Sequence, residues 1–408
     1  MKIILKAPSD MMASAQSLAA RRPFLTALAL SLGAAISLGL TRFSYALLLP
    51  PMRADLGWTY LLSGSMNTGN ALGYFIGALL TPALMRRFGA QSALVGGAVL
   101  AGIFMMLSGL VVNAELLILQ RVLAGIASAS IFIAGGVLAA RLSLLHPNRA
   151  GLLIGIYYGG TGVGIVLSAL LVPLALAAAN AHAAAHAWQW AWIALGAVCL
   201  LATAAMALPS AHIDGSPSPA SAHGNFRYRP FAFGLAGYLM FGVGYIGYMT
   251  FVIALLKEQG MSAGTITWFY SMLGFAVIAS SRIWARMLDR FKGGQSMAIL
   301  NGLLGVATIM PALTAAPLLV FASGLMFGAI FLSVVASTTA LVRHNLPQHA
   351  WSSGISAFTT VFAFGQIIGP SIIGWIADGP GGLQRGLIYS ALALCIGAIL
   401  ASRQRAVG

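Results

Sequence analysis

The sequence predicts an all-α membrane protein, twelve transmembrane helices in two pseudo-symmetric six-helix bundles. Three observations carry that prediction: the scarcity of charge, the spacing of long apolar runs, and a polar connection near the midpoint. Of the 408 residues only 29 are Lys, Arg, Asp or Glu, or 7%, where a soluble domain carries about 25%. Apolar residues make up 59%, and the mean hydropathy is +0.91. So little charge cannot solvate a globule of this size, which excludes a cytosolic enzyme, a disordered chain and a secreted disulfide scaffold.

A spanning helix takes about 20 residues. Twelve apolar windows meet that requirement: 24–50, 59–84, 91–112, 115–141, 150–176, 187–208, 231–256, 264–287, 296–315, 317–342, 352–377 and 386–402. Residues 1–22 carry Lys2 and Lys6, but their apolar run, Ile3 to Leu5, is too short for a signal peptide, so they read as a cytoplasmic tail. Residues 23–208 form the first bundle and 231–402 the second. The linker 209–230, with Pro217, Pro219, glycines and serines, is a cytoplasmic connection, and 403–408 a second cytoplasmic tail.

Cytoplasmic loops retain Lys and Arg, so the distribution of positive charge fixes the orientation. With the N-terminus inside, 17 of the 22 basic residues fall on cytoplasmic segments. Arg53, Lys257 and Arg385 fall outside, and Arg42 and Arg121 lie within spans. The net charge of +15 therefore reports topology and not a nucleic-acid surface. The two halves also align without a gap at an offset of 203 positions. Gly39 meets Gly242, Arg42 meets Tyr245, Tyr45 meets Tyr248, Asp55 meets Glu258 and Gly57 meets Gly260, while Arg86-Arg87-Phe88-Gly89 falls on Asp289-Arg290-Phe291-Lys292. Paired six-helix repeats are the architecture of transporters that rock around a central site.

The fourth span reads Leu117-x-x-x-Arg121-x-x-Ala124-Gly125-x-Ala127-Ser128-Ala129, and the loop after span eight keeps Asp289-Arg290. These motifs resemble the major facilitator superfamily over essentially the whole chain. Arg42-Phe43-Ser44-Tyr45-Ala46-Leu47-Leu48-Leu49-Pro50, together with Leu72-Gly73-Tyr74 and Gly77-Ala78, is more narrowly similar to its YbfB/YjiJ group. The resemblance implies a central cavity lined by spans one, four, seven and ten, and a gating role for Asp289 and Arg290. Arg86 stands where the first-half loop signature has an aspartate. Gly155 and Gly159 resemble the superfamily's antiporter motif, but Gly160 replaces its proline.

Small residues let membrane helices approach and slide. Gly73 and Gly77, Gly155 and Gly159, Gly160 and Gly164, and Gly365 and Gly369 are four such pairs. Pro370 adds a kink to span eleven. Gly160, Gly164, Gly365 and Pro370 are therefore candidate conformational residues, with helix packing as the alternative.

An arginine at the bilayer centre costs about 2.5 to 3.5 kcal/mol even on the lenient insertion scale. Counted from Pro50 and Glu115, Arg42 and Arg121 sit at similar depth, and no Asp or Glu lies deep in any span to neutralise them. An anionic or carboxylate substrate would supply the counter-charge; for Arg121, helix packing or proton coupling competes with that role. Tyr45 shares the face of Arg42, and Ser128 that of Arg121. Tyr245 and Tyr248 of span seven, Ser333 and Ser337 of span ten, and Gln366 offer hydroxyls, an aromatic wall and an amide from the second half. Asn67, Asn70, Tyr157 and Tyr158 are second choices.

No enzyme chemistry, cofactor or metal is expected. The histidines fall in loops, with His182 and His186 alone at ligand spacing, Cys199 and Cys395 are lone thiols, and there is no Walker loop or dinucleotide fingerprint. The sequence thus predicts a monomeric secondary transporter of the bacterial inner membrane, working in the lipid bilayer by alternating access. Its partners are a small organic anion near Arg42 and Arg121 and, optionally, protons. A proton-linked exporter of drugs, sugars or amphipathic metabolites is the alternative, and a non-transporting membrane sensor a third.

Overall fold

The computed structural model describes residues 22–211, 213 and 226–407. The N-terminal tail before Arg22 and most of the linker, including His212, His223, Pro217 and Pro219, lie outside the described residues. Twelve long helices follow one another: α1 (Pro23–Leu56), α2 (Tyr60–Phe88), α3 (Ala90–Ser108), α4 (Ala114–Leu144), α5 (Ala150–Ala181), α6 (Ala187–Ala211), α7 (Ala232–Glu258), α8 (Ala263–Ile283), α9 (Gln295–Leu313), α10 (Pro317–Asn345), α11 (Trp351–Ala377) and α12 (Gly382–Ser402). In lipid the backbone must satisfy its own hydrogen bonds, so uninterrupted apolar runs become helices. Eleven of the twelve are apolar enough to cross a membrane on composition alone. The exception is α2, whose Ser63, Asn67, Thr68 and Asn70 give it a polar stripe turned into the protein.

Short connections make successive helices antiparallel, so both described ends of the chain lie on one side, here the terminal face. At the opposite face the two halves end their first helices alike. Gly57 closes α1 with φ +64° and Gly260 follows α7 with φ +81°. Thr59 then caps α2 by accepting from Leu62 N–H at 3.1 Å, and Ser262 caps α8 by accepting from Thr265 N–H at 3.2 Å. Both pairs obey the 203-residue offset.

Close backbone contacts hold each bundle together. A Cβ on Gly39 would stand 2.5 Å from Cα of Gly164, fixing α1 on α5. In the second half a Cβ on Gly242 would stand 3.2 Å from Cα of Gly365, fixing α7 on α11. A Cβ on Gly160 would lie 1.9 Å from the Ser31 carbonyl. Gly160, Gly164 and Gly365 thus pack helices within one bundle, the alternative weighed for them, and none of the three touches the other half in these contacts. Pro370 differs, since its carbonyl is 2.2 Å from where a Cβ on Gly64 would stand, at the meeting of α11 with α2.

Two features depart from the sequence reading. First, α1 does not end at Pro50. The prolines at 50 and 51 withhold only their own amides, and the helix continues to Leu56. Arg42 therefore lies fourteen residues from the end of α1, about 21 Å at 1.5 Å per residue, whereas Arg121 lies about 10 Å from the start of α4. Ser37 of α1 and Ser128 of α4 nevertheless exchange hydrogen bonds, which puts Arg42 and Arg121 five and seven residues from that level toward the opposite face. The similar depth expected for the two arginines therefore holds, although the count from Pro50 does not. Second, residues Ala35–Phe43 of α1 form a π-helix, a wide form concentrated at functional sites. Where it returns to α geometry, two carbonyls take partners from other helices: Thr41 accepts from Arg121, and Phe43 accepts from Tyr270 of α8 at 2.7 Å.

Candidate functional site

Arg42 and Arg121 are each 2% exposed, yet their surroundings differ. Arg121 donates through Nη1 to the Thr41 carbonyl at 2.6 Å and through Nη2 to Asn67 Oδ1 at 3.1 Å, and its guanidinium lies over the rings of Tyr45 and Trp192 at 5.2 and 5.4 Å. Asn67 in turn donates to Thr250 Oγ1 of α7 at 2.8 Å. Arg121 is thus the centre of a bridge joining α1, α2 and α4 to the second half, an arrangement that suits the packing role weighed for it beside substrate contact.

Arg42 has no such network. Its Nε and Nη2 are buried and meet no acceptor among the described residues. The ring of Tyr74 lies 5.7 Å below its guanidinium, and Tyr245 is close enough to feel its charge. Tyr245 donates its hydroxyl to Gln366 Oε1 at 2.9 Å. The structure therefore assembles Arg42, Tyr245 and Gln366 at the interface of the halves.

The remaining candidates serve helix contacts. Tyr45 donates to the Ser63 carbonyl at 2.8 Å. Ser128 and Ser37 exchange hydrogen bonds between α4 and α1, each hydroxyl 2.7 Å from the other's carbonyl. Tyr248 and Ser323 pair through their hydroxyls at 2.7 Å, and Ser337 returns its hydroxyl to Val334 of its own helix. These four brace helices within their own half, because their polar atoms are already satisfied there.

Sequence reasoning missed an aromatic column in the second half. Tyr238 stacks on Phe362 (4.7 Å between centroids), Phe362 on Phe241 (5.3 Å), Phe241 on Tyr245 (4.8 Å), Tyr245 on Phe331 (6.1 Å), Phe331 on Phe327 (5.7 Å) and Phe327 on Tyr248 (4.0 Å). The available signal was the spacing of Tyr238, Phe241, Tyr245 and Tyr248, which fall on one face of α7. Across the interface stands Tyr74, and Tyr158, 39% exposed, lies within electrostatic reach of it.

Between this region and the opposite face the halves are tied together. Asp378 accepts from the Tyr60 and Leu61 amides at 2.7 and 2.9 Å, seating its carboxylate on the N-terminus of α2. Glu258 accepts from the Tyr60 hydroxyl, and Arg53 lies 3.7 Å over the same ring. Thr68 donates to the Ile367 carbonyl at 2.7 Å. At the terminal face, Asp289 and Arg290 are exposed and Asp289 makes no ion pair among the described residues. The gate expected there is not engaged in this conformation.

No group of three His, Cys, Asp or Glu side chains that could hold a metal occurs among the described residues. His186 pairs with Asp55 at 2.6 Å while His182 stacks on Trp190, so the two histidines face different partners. Cys199 and Cys395 are free.

Two helical bundles closed on one face around a buried, unneutralised cation define a multi-pass membrane transporter. The sequence profile of a family described as "Uncharacterised MFS-type transporter YbfB" matches residues 34–402, and the chain belongs to that family. A putative tartrate transporter of Agrobacterium vitis is 28% identical over 159 residues, covering 36% of this chain and 33% of the relative; the match thus spans about a third of that protein. Among solved structures, an inward-facing, unoccupied bacterial homolog of the human lysosomal transporter Spinster superposes with a TM-score of 0.71 at 16% identity, covering 95% of this chain and 96% of that one. The nucleoside transporter NupG gives 0.66 at 14% identity, covering 95% and 98%. Both show the shared fold.

Proposed function

We propose that this protein is a secondary transporter of the bacterial inner membrane. It works by alternating access and carries a small organic anion whose carboxylate pairs with Arg42. The observation that carries the reading is the state of Arg42: a cation 2% exposed, with Nε and Nη2 unpartnered and no ion pair to an acid among the described residues. Such a charge is costly unless a ligand completes it. The tartrate-transporter relatives, which carry a dicarboxylate by name, favour a carboxylate.

The basic loops favour a cytoplasmic terminal face and cytoplasmic termini. The conformation described then opens inward, with the Asp378 and Glu258 contacts sealing the outside. Rocking about the α2–α11 and α5–α8 seams would break those contacts and engage Asp289 and Arg290. Energy comes from the substrate gradient, exchange or protons, and the unit is a monomer in lipid.

A thermal-shift screen of purified protein against small carboxylates, phosphates, sugars and cationic dyes, run beside Arg42→Gln, tests this. A ligand at a hundredfold excess over Kd adds about 2.7 kcal/mol. Stabilisation by an acid and its loss in the variant are expected. Equal stabilisation of both proteins by neutral or cationic compounds alone would replace the reading with an exporter of amphipathic compounds, which the aromatic column also suits.

A further inference from the structure

We propose that the ligand at Arg42 is an aromatic monocarboxylate, its carboxylate on Nε and Nη2 of Arg42 and its ring against Tyr74, Tyr158, Tyr245 and Phe362. The proposal rests on the anion reading above and narrows it.

The number of available cations sets the charge. Arg121 is the other arginine in reach, and both of its terminal nitrogens are engaged, by Thr41 and by Asn67. Arg121 keeps only its Nε without a partner, whereas Arg42 offers the adjacent pair Nε and Nη2, so one carboxylate is matched. A second carboxylate would enter a buried region with no partner, at the cost that attends any unpaired buried charge.

The remaining polar groups, Asn70 Oδ1 apart, argue against a polyhydroxylated body. Asn67 is held between Arg121 and Thr250, Ser333 donates to the Ser280 carbonyl, Ser337 to Val334, and Thr68 to Ile367. Gln366 Oε1 is taken by Tyr245. A sugar acid would have to displace these bonds to satisfy its own hydroxyls.

The walls favour a flat apolar body. Tyr74 lies under the guanidinium and is partly exposed, and Tyr158 beside it is 39% exposed although it also packs against Phe132 and Tyr157. From the second half Tyr245, in the middle of the aromatic column, lies within electrostatic reach of Arg42, and Phe362 remains partly exposed while stacked on Tyr238, Phe241 and Tyr245. Offset or edge contacts with a ligand ring give about 0.5 to 1.5 kcal/mol beyond area burial, roughly 2- to 12-fold in affinity. The same rings leave the carboxylate in a dry setting where its pairing with arginine is strong.

Calorimetry on purified protein in lipid nanodiscs with benzoate, benzamide, cyclohexanecarboxylate and tartrate separates these terms. Benzoate is expected to bind tightest, about tenfold better than cyclohexanecarboxylate. Binding of benzamide and tartrate falls below detection, and Arg42→Gln abolishes the benzoate signal. Tyr74→Leu, which leaves the arginine in place, should weaken benzoate about tenfold and leave cyclohexanecarboxylate unchanged. Equal binding of tartrate and benzoate, both lost in Arg42→Gln, would overturn the aromatic assignment and leave the anion reading standing. Equal binding of benzoate and benzamide, unaffected by Arg42→Gln, would overturn both. Absence of binding by all four compounds overturns the aromatic assignment.

Discussion

The two halves share a scaffold and differ in what they line it with. Gly39 against Gly164 and Gly242 against Gly365 seat α1 and α7 on equivalent neighbours, and Gly57 with Thr59 repeats as Gly260 with Ser262. At the level of the site the match fails: Arg42 is replaced by Tyr245. The first half supplies charge and amides through Arg42, Arg121, Asn67 and Asn70, whereas the second supplies the aromatic column. Backbone contact leaves no room for a side chain, and Gly39 and Gly242 match at the 203-residue offset, whereas their partners do not, since Gly164 falls on Ile367. Side chains facing the interface met no such limit, and their divergence turns a symmetric frame into a site with a polar and a flat side.

The largest effect is expected from comparing the two arginines. Arg121→Gln strands the Thr41 carbonyl and Asn67, and should lower stability by about 2 to 4 kcal/mol. Arg42→Gln removes a buried charge that has no partner, so stability should hold or rise although ligand binding is lost. Thermal unfolding of the two variants in one detergent measures the difference. Equal destabilisation would mean that Arg42 is braced as Arg121 is, and the distinction between them would collapse.

Both arginines were visible in the sequence, and their unlike roles were not. Hydropathy and loop charge report how each residue relates to lipid and water, which is why the twelve spans were legible, including α2 with its asparagines. The partners of Arg121 come from α1 and α2, at separations no local period records. The π-helix at Ala35–Phe43 was also hidden, because a widened turn depends on neighbours that donate to its displaced carbonyls, as Arg121 and Tyr270 do. Tyr74 was quoted within a motif yet not placed at the site, since only the packing of α2 against α4 turns it under Arg42.

A second comparison concerns the acids at matched positions. Asp55 accepts from Trp188 Nε1 at 2.5 Å and pairs with His186, both in its own half. Glu258 accepts from Tyr60 in the other half, and Asp378 joins it there. Asp378→Ala removes a carboxylate from a helix N-terminus, worth about 1 to 2 kcal/mol, and so shifts the balance of the two faces roughly 5- to 30-fold. Ser371→Cys, in a background with Cys199→Ser and Cys395→Ser, should then react faster with an impermeant thiol reagent supplied at the opposite face. Asp55→Ala should leave that rate unchanged, since its partners do not cross the interface. A rise in both would show that the face is held by the general packing of that end and not by Asp378.

The smallest effect distinguishes the matched tyrosines. Tyr45→Phe withdraws a donor from the Ser63 carbonyl and should cost about 1 kcal/mol. Tyr248→Phe leaves Ser323 still donating to Ala307 at 2.6 Å, so its cost should fall below that. Neither hydroxyl reaches Arg42, and ligand affinity should be the same in both variants as in the parent. Tyr245→Phe, one turn away, uncovers Gln366 Oε1 beside the site, and its penalty should appear in affinity before it appears in stability. If instead Tyr45→Phe lowers affinity as much as Tyr245→Phe does, the ligand reaches into the first half past Arg42. The division between a charged side and an aromatic side would then have to be redrawn one turn nearer the opposite face.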